Sequence, residues 1–525
     1  MNKILLLSLS VLCVAAFADT YLVKADLDAS RLDPFARANI AVIAELEHTA
    51  ILLVNEEEFN LISNRSFEVL DENPSEGDYY LVRRVDETLD LGLYGDILFS
   101  ENMDYLLRID HAVFEELIKQ KVMVKKLFLR PIVLSDGNPQ PEILTDPTVQ
   151  EIVDLVDADS VLASVQQLQD FVSRYSTYDS CLSAANWIAD KFNGYGLDSV
   201  YFQYHTSGHA PNIIGVKRGV LYPDSIYTVI CGHFDATSYM APEIAPGADD
   251  NASGTASVLE AARVMQNYDF EYSIRYMAFS GEEFGLYGSE YYAQQAYTQG
   301  DSIRGVFNAD MIAYSDAQPE DLEVIGKISN PSCDWLADFF IAAADSYTTL
   351  PTDKHLTNNW IPSDNQSFLD YGYAALLGIE DYGVVNPWYH SPGDTIGSGY
   401  NDNAFCTEVT KAHVAAVAIM AVPYETGAEE VTDVKIGTPK LSIYPTVHSS
   451  HFTIAFDGPD PSIAIYDATG RLVKNFNLKS EISNLQSAVS WRGVDNTGQK
   501  LPSGVYFVCA ASKDLKAIEK LVLVR

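Results

Sequence analysis

Five separated stretches of this chain carry side chains suited to binding divalent cations. They are Gly232-His233-Phe234-Asp235, Gly247-Ala248-Asp249-Asp250-Asn251-Ala252-Ser253-Gly254, Gly281-Glu282-Glu283, Asn308-Ala309-Asp310 and Tyr389-His390-Ser391. Zinc takes imidazole nitrogen and carboxylate oxygen, and a catalytic site keeps one position open for water. Two such ions, ~3.5–4 Å apart, need a ligand that spans both. His233, His390, Asp249, Glu283 and Asp310 supply that set, with Asp249 as the spanning carboxylate. Glu282 sits beside a ligand and suits general-base work on a water. Asp235, two residues after His233, suits the task of orienting its ring. Taken singly, each has an ordinary use. Asp249-Asp250-Asn251 can cap a helix, Glu282-Glu283 can be a solvated turn, and Asp310 can simply end a strand. It is their joint occurrence at successive strand ends that favours a site.

The elements that hold these groups follow from the hydrophobic pattern. Helical periodicity covers 149–175, 180–192, 253–268, 289–297, 333–347 and 405–420. Strand patterns cover 199–205, 212–217, 225–231, 273–279, 305–308 and 374–379. This predicts an α/β fold, a mostly parallel mixed sheet with helices on both faces. Ligands of open α/β sheets bind beyond the carboxyl ends of the strands, and the candidate residues fall there.

Flanking units differ in character. Residues 19–140 read as an N-terminal α+β module with a weak internal repeat of two β-α-β halves. Tyr21-Leu22-Val23-Lys24 recurs as Tyr80-Leu81-Val82-Arg83, and Phe67-Glu68-Val69-Leu70 corresponds to Val122-Met123-Val124-Lys125. The module holds no cluster suited to chemistry. It reads as a prosegment that inhibits or chaperones, or as an accessory binding domain. Residues 137–150 (Gly137, Pro139, Pro141, Pro147) and 426–438 read as linkers. Residues 439–525 alternate as short strands between Gly, Pro and Asp-Asn turns, which predicts an immunoglobulin-like β-sandwich.

Composition narrows the setting. The 525-residue chain has 34 Lys+Arg against 73 Asp+Glu, a net charge of -39, which disfavours nucleic-acid partners. Lys3, the apolar run Ile4 to Val14 and Ala16-Phe17-Ala18 read as a signal peptide over residues 1–18. The mature chain is therefore expected outside the cytoplasm: extracellular, periplasmic or on the cell surface. The apolar run is too short for a permanent anchor, and no later stretch reads as transmembrane. Cys181, Cys231, Cys333, Cys406 and Cys509 lie far apart without a Cys-x-x-Cys pattern, so buried thiols are expected rather than a cysteine zinc site.

Over residues 150–425 the chain resembles the M28 family of co-catalytic zinc metallopeptidases, many of them aminopeptidases. The five stretches above carry the resemblance, extended by Ser280 to Gly285, Met311, Ser363-Asp364 and Asn386-Pro387-Trp388-Tyr389-His390-Ser391-Pro392-Gly393-Asp394-Thr395. The resemblance implies the zinc-peptidase fold and two zinc ions. His233 and Asp310 would hold one ion, Glu283 and His390 the other, with Asp249 bridging and Glu282 as general base and acid. It implies a cis peptide after the bridging residue, at Asp249-Asp250. The activity it implies is removal of N-terminal residues from peptides by zinc-bound hydroxide. A glutaminyl cyclase using one zinc, a carboxypeptidase-like hydrolase on the same fold and a catalytically silent binding protein are the alternatives.

This chain has Ser363-Asp364-Asn365 where relatives often have Ser-Asp-His. It has Trp360 where some relatives have a tyrosine that stabilises the oxyanion, which leaves Trp360 and Tyr389 as candidate donors. The C-terminal unit resembles secretion-sorting or FlgD-like Ig modules. Trp491-Arg492-Gly493-Val494-Asp495, Leu501-Pro502-Ser503-Gly504-Val505-Tyr506 and Lys520-Leu521-Val522-Leu523-Val524 carry that likeness. It implies contact with secretion machinery or the cell surface.

Overall fold

The computed structural model describes residues 20–28, 31–62, 66–74, 79–133, 145–222, 224–382, 385–424 and most of 441–523. The expected signal peptide and most of the two expected linkers lie outside the described residues.

At the centre is an eight-stranded sheet. Its order is Thr352–Thr357, Leu322–Lys327, Ala375–Ile379, Ser302–Ala309, Ile226–His233, Ser273–Phe279, Asn212–Lys217, Ser199–Gln203. The four middle strands, from Ala375–Ile379 to Ser273–Phe279, are parallel to one another. Antiparallel strands join on either side. The expected mostly parallel α/β sheet is borne out, with two strands added at one edge. Thr352–Thr357 alternates exposed Asp353 and His355 with partly buried neighbours, so its polar sequence gives no apolar stripe.

Strand alternation feeds two cores. On Ile226–His233, Ile230 joins the cluster under helices Gly254–Met265, Pro331–Tyr347 and Asn403–Ala421. Val229 and Cys231 face the opposite cluster, which includes Tyr292 and Ala293 of helix Tyr287–Gln299 and Phe368 of helix Asn365–Asp370. The single helical run expected over 149–175 is two helices, Pro147–Asp154 and Ala158–Gln169, each with an aspartate capping its start. Helix Asn403–Ala421 is long and apolar enough to cross a membrane, with mean hydropathy 1.3. No such stretch is expected from the sequence reading. Its composition follows from burial, because it packs against Gly254–Met265 and Pro331–Tyr347 and is apolar nearly all round. The five cysteines named above are free thiols, four of them buried.

The N-terminal module contains two four-stranded antiparallel sheets with one shared strand order. The first runs Ala41–Glu45, Thr49–Asn55, Thr20–Asp26, Phe67–Asp71. The second runs Asp96–Glu101, Asp104–Arg108, Tyr79–Arg84, Val122–Lys126. A β-α-β reading of each half leaves out Ala41–Glu45 and Asp96–Glu101, the outer strands of two hairpins. In the C-terminal unit a three-stranded and a five-stranded sheet share one core around Trp491, Phe452, Ile465 and Leu521.

Glycines in the central motifs are there because backbones meet. A Cβ on Gly254 would collide with the carbonyl oxygen of Ala309, and Gly232 faces the same carbonyl and the backbone of Gly254. This contact brings the start of helix Gly254–Met265 onto the ends of two strands. Gly254→Ala is expected to lower stability by about 1–3 kcal/mol and to move Asp310, next to Ala309. Thermal unfolding and metal content check this together.

Candidate metal centre

The four middle strands finish at one edge, and each delivers a polar group there. His233 ends Ile226–His233, Glu282 and Glu283 follow Ser273–Phe279, Asp310 follows Ser302–Ala309, and Glu380 follows Ala375–Ile379. Between the first two strands the chain makes the irregular helical turn Ala248–Ser253, which carries Asp249 and Asp250 into the same edge. His390 arrives on a loop in a left-handed conformation, φ 52°.

Two groups of donors result: His233, Glu282 and Asp310, and Asp250, Glu283 and His390, all buried. His233 Nε2 lies 3.3 Å from Asp310 Oδ1, 3.4 Å from Asp250 Oδ1 and 3.9 Å from Glu282 Oε2. His390 Nε2 lies 2.9 Å from Glu283 Oε2 and 3.5 Å from Asp250 Oδ2. Each oxygen of Asp250 therefore faces one histidine.

The carboxylate between the histidines is Asp250, whereas the sequence reading gives Asp249. Asp249 is committed elsewhere: its Oδ1 accepts from Ala313 N–H at 2.9 Å and its Oδ2 from Asn386 Nδ2 at 2.9 Å. Burial, then Asp394, pushes Asp249 well above the usual carboxylate range, and burial, then Asp249, does the same to Glu380 beside it. The non-proline cis peptide is Asp250-Asn251, one residue beyond Asp249-Asp250. Two adjacent aspartates are indistinguishable by residue type, so nothing in the sequence separates these registers.

The rings are aimed from behind. His233 Nδ1 donates to the backbone oxygen of Asp235 at 3.0 Å, and the Asp235 carboxylate accepts from Glu282 N–H at 3.2 Å. His390 Nδ1 donates to the backbone oxygen of Gln120, in the N-terminal module, at 2.7 Å. With both Nδ1 atoms donating, both Nε2 lone pairs face the cluster. Asp310 Oδ2 accepts from Ser363 Oγ at 2.5 Å, which leaves Oδ1 free. Glu283 Oε1 accepts from Thr237 N–H at 3.0 Å.

Several supports go unnoticed in the sequence. Asp394 accepts from both Asp249 N–H and Asp250 N–H, each at 3.0 Å, and so holds the turn. Burial pushes Asp394 up to about 6. Arg174, fully buried, donates to the carbonyls of Phe234, Leu168, Pro246 and Gly247 and ties the loops after His233 and before Asp249 together. Glu380 was recoverable, because it follows a predicted strand as directly as Asp310 does. Arg174 offers no signal, since a lone arginine after a helix reads as surface.

The donors fit divalent cations. Asp310 Oδ1 and His390 Nε2 are buried without a hydrogen-bond partner. Among the described residues, no lysine or arginine pairs with Asp250, Glu282, Glu283 or Asp310. Without a cation, protons must compensate. Burial, then Glu283, pushes Asp250 well above the usual range, and burial does the same to Glu282. Burial disfavours a charged His233, yet Asp310 and Glu282 outweigh it and raise its pKa well above the ordinary value.

A cavity lined by His233, Asp250, Glu282, Glu283 and Asp310 opens on this cluster. Tyr389 lines it and donates to the Val122 carbonyl at 3.2 Å. Trp360, the other candidate oxyanion donor, does not line it; its Nε1 donates to Asp104 Oδ1 at 2.9 Å.

Comparisons with known proteins find similar domains. Residues 212–411 match the model of peptidase family M28, and residues 442–524 match the secretion system C-terminal sorting domain. Aminopeptidase YwaD of Bacillus subtilis (strain 168) is 29% identical over 194 residues, covering 36% of this chain and 41% of that protein. A probable zinc metalloprotease of Pyrenophora tritici-repentis is 33% identical over 200 residues, covering 34% of this chain and 41% of that protein. The chain thus spans about two fifths of the length of these relatives. Its fold is similar to that of the LapA aminopeptidase of Legionella pneumophila, with a TM-score of 0.50, 19% identity and coverage of 78% of this chain and 100% of that one.

The two aspartates separate cleanly by experiment. Asp250→Asn is expected to lower bound zinc by at least one equivalent per chain. Asp249→Asn is expected to retain more zinc than Asp250→Asn. Elemental analysis after dialysis measures both, and equal losses would return the bridge to an open question.

Proposed function

From a peptidase family M28 domain joined to a secretion system C-terminal sorting domain, we propose that the chain is an exported zinc-dependent aminopeptidase. It would remove N-terminal residues from peptides. The observation that carries this reading is Asp250, set with one oxygen toward His233 and one toward His390.

Two zinc ions would be held there, one by His233 and Asp310, the other by Glu283 and His390, with Asp250 shared. When bound, the ions supply Lewis acidity toward the scissile carbonyl and acidify a nearby water. Glu282 lines the same cavity and takes the proton of the attacking water on its carboxylate. It then delivers that proton to the leaving amine nitrogen. Asp235 keeps both partners in place, since its carbonyl fixes the His233 ring and its carboxylate holds the Glu282 backbone. Tyr389 lines the cavity and would donate to the developing oxyanion once released from the Val122 carbonyl, whereas Trp360 lies off the cavity with its N–H on Asp104. Carboxylates of the cluster complement the free α-amine of a substrate. Met311, Leu377 and Ile379 form an apolar wall suited to the side chain of the residue removed.

Two separate donor groups favour this reading over a cyclase with one ion, and an intact base favours it over a silent binding protein. The sorting domain supports export, to the cell surface or the medium.

Glu282→Gln is expected to keep both zinc equivalents while lowering kcat by about 10²–10⁴-fold. Hydrolysis of aminoacyl para-nitroanilides, assayed before and after limited proteolysis of the chain, measures this. Turnover at the parent rate would assign the base elsewhere, and zinc content near one per chain would favour the cyclase.

A further inference from the structure

The N-terminal module lies over the metal centre, and one segment of it crosses the mouth of the cavity. Strand Val122–Lys126 is the edge strand of the module's second sheet, paired antiparallel with Tyr79–Arg84. Its side chains alternate. Val122 and Val124 pack with Tyr80 and Phe114 in a core that also takes in Ala236, Phe284 and Tyr287 of the central domain, and both border the cavity. Met123 and Lys125 turn the other way, onto the peptidase domain. Met123 packs against the cluster that contains Met311, Leu377 and Ile379, and it lines the cavity with His233, Asp250 and Glu282.

Backbone groups of the segment, and the Lys121 side chain, bond to both rims. On one side Gln120 O accepts from His390 Nδ1 at 2.7 Å, Val122 O accepts from Tyr389 Oη at 3.2 Å, and Lys121 Nζ donates to Pro387 O at 2.9 Å. On the other side Lys126 N–H donates to Gly285 O at 3.2 Å, two residues beyond Glu283. An extended peptide substrate offers the same groups: carbonyls, amides and an alternating side chain. The Val122 carbonyl takes the hydroxyl that the proposed mechanism gives to the scissile carbonyl.

We propose that residues 120–126 are an intramolecular inhibitor, which fills the peptide-binding mouth as a substrate would and keeps the full chain latent until the module leaves. The proposal rests on the aminopeptidase reading of the site. The contact is mixed: apolar packing joins Tyr80 and Phe114 to Phe284 and Tyr287, and charged pairs lie beside it. Lys125 Nζ meets Asp370 at 2.5 Å, Lys327 Nζ meets Glu45 at 3.5 Å, and Asp104, held by Arg83, accepts from Trp360. Such groups regain hydration when the surfaces part, so the apolar share of the contact is what holds it closed.

The test uses the zinc-loaded full chain, intact and after proteolysis between residues 133 and 145, with leucine para-nitroanilide as substrate. Zinc transfer to a chromogenic chelator is followed in parallel. The cleaved chain is expected to exceed the intact chain in kcat/KM by at least ~10-fold, as for a site competent in a small fraction of molecules, and to release zinc faster. Met123→Asp, which sets a carboxylate over the acidic cluster, is expected to move the intact chain toward the cleaved values. Equal kcat/KM and equal zinc release in intact and cleaved chains would overturn the inhibitor. Faster zinc release on cleavage with no hydrolysis in any form would support the plug and overturn the aminopeptidase reading. The cleaved parent chain carries the test should Met123→Asp fail to fold.

Discussion

Buried negative charge without a matching side-chain cation is the constraint on which the site depends. Asp250, Glu282, Glu283 and Asp310 meet at one edge of the sheet, with two imidazoles and no ammonium or guanidinium paired to them among the described residues. Isolated buried carboxylates neutralise themselves by shifting pKa, and here burial does raise Asp250 and Glu282. Divalent ions relieve the same stress without a proton. The rest of the edge serves to keep the oxygens from escaping to better partners. Arg174 spends its donors on carbonyls rather than on the cluster, and Asp394 takes the amides of Asp249 and Asp250 so that the turn cannot relax.

Much of this was legible because a parallel sheet gives its strand ends a common address. His233, Glu283, Asp310 and His390 were readable as a set from residue type and position, and so was the α/β architecture. What was not legible is the choice between chemically identical neighbours. Asp249 and Asp250 differ only in which backbone amides and side chains surround them once the turn has formed, and that depends on Ala313 and Asn386, far along the chain. Trp360 could not be excluded as an oxyanion donor from its own segment, because its partner Asp104 belongs to another module. The edge strand Thr352–Thr357 escaped for a related reason, since a strand half in water is held by pairing and shows little apolar stripe; Leu322–Lys327, buried and paired on both sides, carries a legible Leu-x-Val-Ile run.

The contact between the N-terminal module and the sheet edge joins two physical tasks. Its backbone completes the hydrogen bonding of His390, so the ring of a candidate ligand is oriented by a different folding unit. Its buried ion pairs give register more than affinity, because desolvation offsets most of the Coulomb attraction. The Lys125–Asp370 and Lys327–Glu45 pairs thus help define where the module lies, beside an apolar core that the two bodies share.

Helix Asn403–Ala421 shows a second demand on the same residues. In the folded chain its apolar surface is an asset, since it fills the space beneath the sheet. A chain threaded through a translocation channel meets that helix as a segment able to partition sideways into lipid. Glu408 and Lys411, paired at 2.8 Å on its wetter side, contribute little to the fold. Near the middle of a membrane-inserting segment, a lysine costs about 2.5–3.5 kcal/mol. The lysine thus raises the cost of such partitioning while the pair does little harm to packing.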